Sequence, residues 1–377
     1  MRLFQPRGWP RPQGPGATRG TRGSTLLAMS LWLFALALFV LPFMRTPVSP
    51  HWDAEDPNRS EELDLPFGLD VGDFDDYAAE EGLGLDQTLA DAIASSSREF
   101  YAADSDRLRG NGLVDTGRLD AGQRVYDLHC AGCHSLSGDG AGPAARFLSP
   151  RPRNFRRGIF KFKSTSSGER PLREDLFQTV TRGLSGSAMP DFRLLSEEKR
   201  WDVVEYIRYL ALRGEFEQLM LDVAWEDDEL PDPDSMANII DRRWDPENLR
   251  AQFPTEAETD RDDASIERGR VLFIGTKATC STCHGAGGRG DGPVADGYTD
   301  SWGYPIRPRD LTTGVFRAGS SGKDLWLTVA NGIGGTPMPS YGGALSGAEI
   351  WDLVHFVQYL ASTRPGEQQT SGDSEEN

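Results

Sequence analysis

Cysteine and histidine are scarce here, four and five in 377 residues. Four cysteines over this length exclude a disulfide-stapled scaffold, which needs a far denser set. Positive charge is also short. Forty Lys and Arg stand against 58 Asp and Glu, a formal net charge of −18. A chain of that sign offers no broad phosphate-binding surface, so nucleic-acid binding is excluded as a general role. Long apolar runs are missing, with one exception: Thr25–Met44 is 20 residues without a charge.

That exception is long enough to matter. A helix of about 20 residues crosses the roughly 30 Å hydrocarbon core of a bilayer. Before and just after it lie Arg2, Arg7, Arg11, Arg19, Arg22 and Arg45, and residues 1–45 contain no acid. Residues 46–377 then carry a net charge of −24. The bias places a basic head (1–24) in the cytoplasm and the body on the external side. A cleaved signal peptide is the competing reading; its apolar stretch is shorter, about 7–15 residues, and ends at a small-residue cleavage site. A single-pass anchor in the cytoplasmic membrane is therefore expected at 25–44, with the body in the periplasm.

What the chain has in abundance is glycine and proline, 42 and 24 residues, which predicts a loop-rich body. Residues 45–114 read as an acidic spacer, with helical patterning at Leu85, Leu89 and Ile93 inside Leu83–Leu108. Beyond it the sequence repeats with a period near 150 residues. Cys130-Ala-Gly-Cys133-His134 recurs as Cys280-Ser-Thr-Cys283-His284, with Pro143 and Pro293 nine positions after each His. Asp175–Pro190 matches Asp324–Pro339, and Trp201–Leu210 matches Trp351–Leu360. The order is the same in both copies, so a domain has been duplicated. The expected boundaries are 115–214 and 263–363, joined by an acidic linker (215–262) and followed by a tail (364–377). Leu219, Leu221, Trp225 and Trp244 could anchor that linker to the domain surfaces.

Each copy is expected to begin and end with a helix. Ala121–Leu128 and Glu267–Phe273 open them, with Gly122 and Gly269 on faces that let another helix cross closely. Ser196 before Glu197 and Glu198, and Ser346 with Glu349, mark the starts of the closing helices. Between them glycine, proline and serine leave little regular structure. A domain of about 100 residues built this way has a small core, and something else should fill its centre.

Cys-x-x-Cys-His explains what. Residues three and four apart share a helix face, so two thiols can reach the two vinyl groups of one haem while the next residue is delivered to the iron. A four-cysteine zinc centre would need a pair spacing of about 15–20 residues, and it gives no role to a His after each pair. A thioredoxin-type redox pair needs a βαβ context that is absent. Haem c attachment is the expected chemistry: Cys130, Cys133, Cys280 and Cys283 hold two haems, with His134 and His284 as proximal ligands.

The sixth ligand decides between electron transfer and chemistry at an open iron. His51 lies in the spacer, His129 points away from a macrocycle bound at Cys130, and His355 reads as a partly exposed helix residue. Met189 and Met338 lie 55 and 54 residues after the proximal histidines, each as Met-Pro in a glycine-rich loop. A methionine is more often core packing. Matched positions in two repeats favour axial ligation, and thioether ligation raises the potential.

Each repeat resembles a class I c-type cytochrome domain. The matching residues are Gly122, Tyr126, Cys130, Cys133, His134, Pro143, Met189 and Tyr206, and then Gly269, Phe273, Cys280, Cys283, His284, Pro293, Met338 and Phe356. The resemblance covers about 115–213 and 263–363. It implies an all-α fold of two tandem domains, crossed first and last helices, and a haem in each crevice. It also implies that Arg153 and Arg309 pair with haem propionates; an exposed loop arginine is the alternative. Copy two has six more residues than copy one between His and this Arg, Trp302 and Tyr304 among them, and seven fewer afterwards.

The expected function is a membrane-anchored relay of single electrons between a redox protein donor and an acceptor, docking electrostatically. No small-molecule substrate and no catalytic side chain are expected. Two alternatives remain: a peroxidase-like di-haem enzyme with one open iron, and a fixed cytochrome subunit of a larger oxidoreductase.

Overall fold

The computed structural model describes residues 87–227, 230–249, 251, 254 and 257–363. The head, the apolar segment 25–44, most of the spacer with His51, and the tail lie outside the described residues. All described residues belong to one compact unit, Ser60–Asn377. In chain order the helices are α1 (Gln87–Tyr101), α2 (Asp106–Gly110), α3 (Leu119–His129), α4 (Ala131–His134), α5 (Arg173–Arg182), α6 (Glu197–Asp227), α7 (Pro233–Trp244), α8 (Asp263–Ile274), α9 (Cys280–His284), α10 (Gly322–Asn331) and α11 (Gly347–Ser362). No helix among the described residues is long and apolar enough to cross a membrane.

The two copies are built alike around a close helix crossing. In copy one α3 crosses α6 at Gly122, where a Cβ would lie 2.1 Å from the Asp202 carbonyl oxygen and 2.9 Å from Cβ of Tyr206. In copy two α8 crosses α11 at Gly269, where a Cβ would lie 2.0 Å from the Asp352 carbonyl oxygen and 2.9 Å from Cβ of Phe356. Any side chain at either glycine would force the helices apart. An aromatic pair backs each crossing: Tyr126 with Tyr206 and Phe273 with Phe356, both with ring centroids 5.2 Å apart. Ser346 forms the expected capping box with Glu349, its hydroxyl taking the Glu349 N–H and the Glu349 carboxylate taking the Ser346 N–H. The matched segments starting near Asp175 and Asp324, read as loop-rich, begin as α5 and α10.

Three departures from the sequence reading follow from packing. First, α6 does not stop near Leu210 but runs 31 residues to Asp227. Its second half buries Phe216, Met220 and Leu221 against Ile93 and Tyr101 of α1 and Ala237, Ile240 and Trp244 of α7, and Ala224 is buried with them. Segments that read as spacer and linker thus supply two helices that extend the first core. Charge inside this layer is paired. Buried Arg213 donates to Glu217 at 3.1 Å, to Ser97 at 2.9 Å and to Tyr209 at 3.0 Å. Buried Glu215 accepts from Arg170, from Arg243 at 2.8 Å and from the Trp244 indole at 2.9 Å.

Second, His355 is fully buried rather than partly exposed. The crossing at Gly269 brings Ser265 of α8 against it, with Oγ 2.7 Å from His355 Nδ1 and donating to Asp352 at 2.6 Å. Third, the all-α reading misses a short β-ribbon, Tyr298–Thr299 paired antiparallel with Pro305–Ile306. It falls in the stretch where copy two is longer. Asp300 closes its turn by accepting the N–H groups of Trp302 (3.1 Å) and Tyr304 (3.2 Å), with Gly303 at φ +78°.

Candidate functional site

The Cys-x-x-Cys-His residues follow the crossing helices: Cys130 caps the junction of α3 and α4, Cys133 and His134 lie on α4, and Cys280, Cys283 and His284 lie on α9. In copy one the chain turns back from His134 through a fixed set of backbone bonds. Gly140 N–H donates to His134 at 3.0 Å, Gly142 N–H to Cys133 at 3.2 Å and Ala144 N–H to Gly132 at 3.0 Å. Copy two repeats them with Gly290, Gly292 and Val294 on His284, Cys283 and Thr282 at 2.8, 3.1 and 3.2 Å. Glycine is required inside the wrap: a Cβ at Gly142 or Gly292 would lie 2.8 or 2.7 Å from the carbonyl oxygen of the second cysteine. Neither pair is joined as a disulfide. Burial pushes Cys130 up to about 12 and Cys280 up to about 11, so neither reads as a thiolate nucleophile.

Each histidine ring is oriented through its δ nitrogen. His134 Nδ1 lies 2.9 Å from the Arg153 carbonyl oxygen, and His284 Nδ1 lies 3.0 Å from that of Arg309. A carbonyl can only accept, so the proton sits on Nδ1 and the Nε2 lone pair is left for a metal. Burial lowers the affinity of both rings for a second proton, which keeps that lone pair available. His134 also stacks on Phe155, with centroids 4.5 Å apart and planes at 17°. His129 is exposed, 6.2 Å from Phe192. Among the described residues, no three His, Cys, Asp or Glu side chains gather as metal donors.

Met189 and Met338 occupy loops of one conformation. The Leu184 N–H donates to the Met189 carbonyl at 3.1 Å, and the Ile333 N–H to that of Met338 at 3.2 Å. Ser187 and Thr336 hydroxyls accept the two Met N–H groups, each at 3.2 Å. Gly183 and Gly332, at φ +64° and +68°, pack against the prolines after each Met.

Arg153 and Arg309 lie at the junction between the copies. The Arg153 guanidinium sits over the Trp302 ring at 3.4 Å. Arg309 donates to the Val315 carbonyl at 2.9 Å, and a Cβ at Gly186, in the other copy's methionine loop, would lie 2.7 Å from its Nη2. Lys161 and Arg317 join them, with Asp300 on Lys161 at 3.3 Å. Burial is the first cause that pushes Arg153 down to about 9 and Lys161 to about 8, and it also lowers Arg317, where the charge of Arg309 adds. A cavity of about 540 Å³ opens beside them, between Lys161, Lys163 and Arg182 on one side and Arg317, Lys323 and Asp324 on the other.

The sequence reading missed Lys161 and Arg317, although a signal was present. Pro-Arg-Asn-Phe-Arg-Arg-Gly-Ile-Phe-Lys161 aligns with Pro-Arg-Asp-Leu-Thr-Thr-Gly-Val-Phe-Arg317, so a basic residue follows the key arginine by eight positions in each copy. Two buried polar atoms here, Trp302 Nε1 and Arg317 Nε, have no hydrogen-bond partner among the described residues. Buried donors of this kind call for acceptors, and carboxylates suit a cluster of cations in an acidic protein. The donor set therefore fits a tetrapyrrole with propionates: thiols and an Nε2 on one short helix, guanidinium and indole N–H groups at the rim.

Comparison with known proteins agrees. Residues 117–207 and 264–357 each match the family described as cytochrome c oxidase, cbb3-type, subunit III. A solved chain of the reducing HAO-like protein complex of Kuenenia stuttgartiensis is 34% identical, with a TM-score of 0.52, covering 64% of this chain and 95% of that one. The chain belongs to the class I c-type cytochromes. As such, this cytochrome is an electron-transfer protein that works with haem iron. A curated relative, the cbb3-type cytochrome c oxidase subunit FixP of Azorhizobium caulinodans, is 29% identical over 99 residues, 26% of this cytochrome. The match spans 28% of that relative's length.

Proposed function

We propose that this cytochrome carries two covalently attached haems c, one per domain, and relays single electrons between redox proteins. Cys130 and Cys133 attach the first and Cys280 and Cys283 the second. His134 with Met189, and His284 with Met338, would hold the two irons, and Arg153 and Arg309 with Lys161 and Arg317 would meet the propionates. The haem supplies the one-electron couple between ferric and ferrous iron. The chain's own residues hold the imidazoles in one tautomer, present a soft thioether that favours the ferrous state, and keep water from the crevice. One electron enters from a reduced donor for each that leaves to an acceptor, with no bond made or broken in the protein.

The observation that carries this reading is the pair of Nδ1-to-carbonyl contacts, repeated at 2.9 and 3.0 Å in the two copies. We further propose that residues 25–44 anchor the cytochrome in the cytoplasmic membrane with both domains on its external side. There it would serve a respiratory complex. Both named relatives are parts of complexes, an oxidase and an HAO-like assembly, which favours a bound subunit over a free carrier. The acidic body suits a partner with a basic face.

The experiment is intact mass with a haem stain on the denatured chain, purified in mild detergent. Two covalent haems are expected, one after Cys130→Ser with Cys133→Ser, and none after all four cysteines are replaced. Co-elution with other haem proteins tests the subunit reading. A wild-type chain with one haem or none would overturn the proposal.

A further inference from the structure

The copy-two ribbon does more than lengthen a loop. Trp302 at its tip touches machinery of both domains. On one side its ring packs under the Arg153 guanidinium at 3.4 Å, and the carbonyl of that same residue holds the His134 ring. On the other side it closes on Gly335, where a Cβ would lie 2.4 Å from the ring. Gly335 is three residues before Met338. The tip is pinned to both copies: Ser301 N–H donates to the Gly335 carbonyl at 3.0 Å, Arg157 donates to the Ser301 carbonyl at 2.6 Å, and Asp300 holds Lys161 at 3.3 Å. The Gly334 N–H donates across to the Lys161 carbonyl at 3.3 Å.

The reverse contact has no such wedge. Arg309, whose carbonyl holds His284, reaches the methionine loop of copy one directly at Gly186. Gly186 and Gly335 are matched positions, each three residues before its methionine. Each domain therefore sets its histidine-holding arginine against the other's methionine loop, and only one of the two contacts runs through an inserted indole.

We propose that Trp302 is a positioning residue that couples the two redox centres, fixing the His134-holding turn and the Met338 loop against one another. This rests on the two-haem reading above. The potential of a haem follows the hydrogen bond to its imidazole, the seating of its axial ligand and its exposure to water. One ring that holds parts of both sites in place sets both potentials together. Removing it frees Arg153 to hydrate and admits water beside the Gly335 loop. Water favours the more charged ferric state, so both potentials fall.

The test is a redox titration of the full-length holo-protein, followed optically with the two components resolved. Trp302→Ala is expected to lower both reduction constants about tenfold, which is about 59 mV for one electron. Trp302→Phe, which keeps a ring between Arg153 and Gly335 but loses the indole N–H, is expected to restore part of the loss in both. Arg270→Gln removes an exposed charge paired with Glu267 on α8, away from the junction, and is expected to leave both unchanged. Should Trp302→Ala fail to fold, Arg153→Gln removes the contact from the first domain and is expected to move the second domain's potential as well. Movement of one component alone in Trp302→Ala, or equal movement in Arg270→Gln, overturns the coupling. A wild-type chain with a single one-electron component overturns the two-haem reading and the coupling with it.

Discussion

His134 Nδ1 lies 2.9 Å from the carbonyl oxygen of Arg153, nineteen residues on in the chain. That contact settles which nitrogen faces the crevice, and its counterpart at His284 and Arg309 does the same. On the function proposed above, Met189 and Met338 in the Met-Pro loops are the second ligands of the two irons. Met189→Ala and Met338→Ala are each expected to leave both haems attached, abolish the far-red sulfur-to-iron band of one, and lower that haem's potential. Optical titration checks this. An unchanged band in Met189→Ala would mean that the first domain uses another ligand.

The helix crossings give a stability test. Gly269→Ala places a methyl group about 2.0 Å from the Asp352 carbonyl, and overpacking of this kind costs about 1–3 kcal/mol. The cost should fall on the second domain's unfolding transition in calorimetry. Gly122→Ala is expected to do the same to the first.

The buried pair on α6 is expected to be asymmetric in its response. Glu217→Ala leaves the Arg213 guanidinium buried without its carboxylate, a loss of about 3–5 kcal/mol by analogy with other broken buried pairs. Glu217→Gln retains an acceptor for Arg213 and Ser97 and should cost less. Urea unfolding compares them; equal losses would show that packing, not charge, holds the helix layer together.

His355 gives the second domain a pH dependence. Its ring is buried, and desolvation lowers its pKa below the ordinary 6.5 against the opposing charges of Glu258, Asp352 and Asp262, with Arg261 reinforcing the drop. The unfolded chain then takes up the proton first as pH falls. The stabilisation is fully present above about 6.5 and is lost progressively below it. His355→Gln is expected to flatten the slope of unfolding free energy between pH 7 and pH 5, measured against wild type so that the carboxylates cancel.

The parts legible in the sequence share one property: they depend on short spacing. Cys130, Cys133 and His134 lie within five residues, and the Ser346–Glu349 box within four. The repeat then exposes Gly122 with Gly269 and Met189 with Met338, because a matched position separates a constraint from chance. The extension of α6 was hidden by its charge. Phe216, Met220 and Ala224 have helical spacing, but Glu215 and Glu217 beside them read as solvated linker; Arg170 and Arg243 on Glu215, and Ser97 with Arg213 of the same helix on Glu217, make their burial tolerable. His355 was misread for the same reason, since the partner that buries it, Ser265, is ninety residues away. Trp302 was visible as an insertion, yet its contact with Arg153 exists only once two domains are docked.

The most direct test of the account is the ferric optical spectrum of the holo-protein, with the far-red sulfur-to-iron band quantified per haem. Two bands' worth of intensity, and no high-spin component, is the expected result and leaves electron relay as the function. One band or a high-spin signature would contradict it and point to an open iron, with peroxide turnover as the activity to assay.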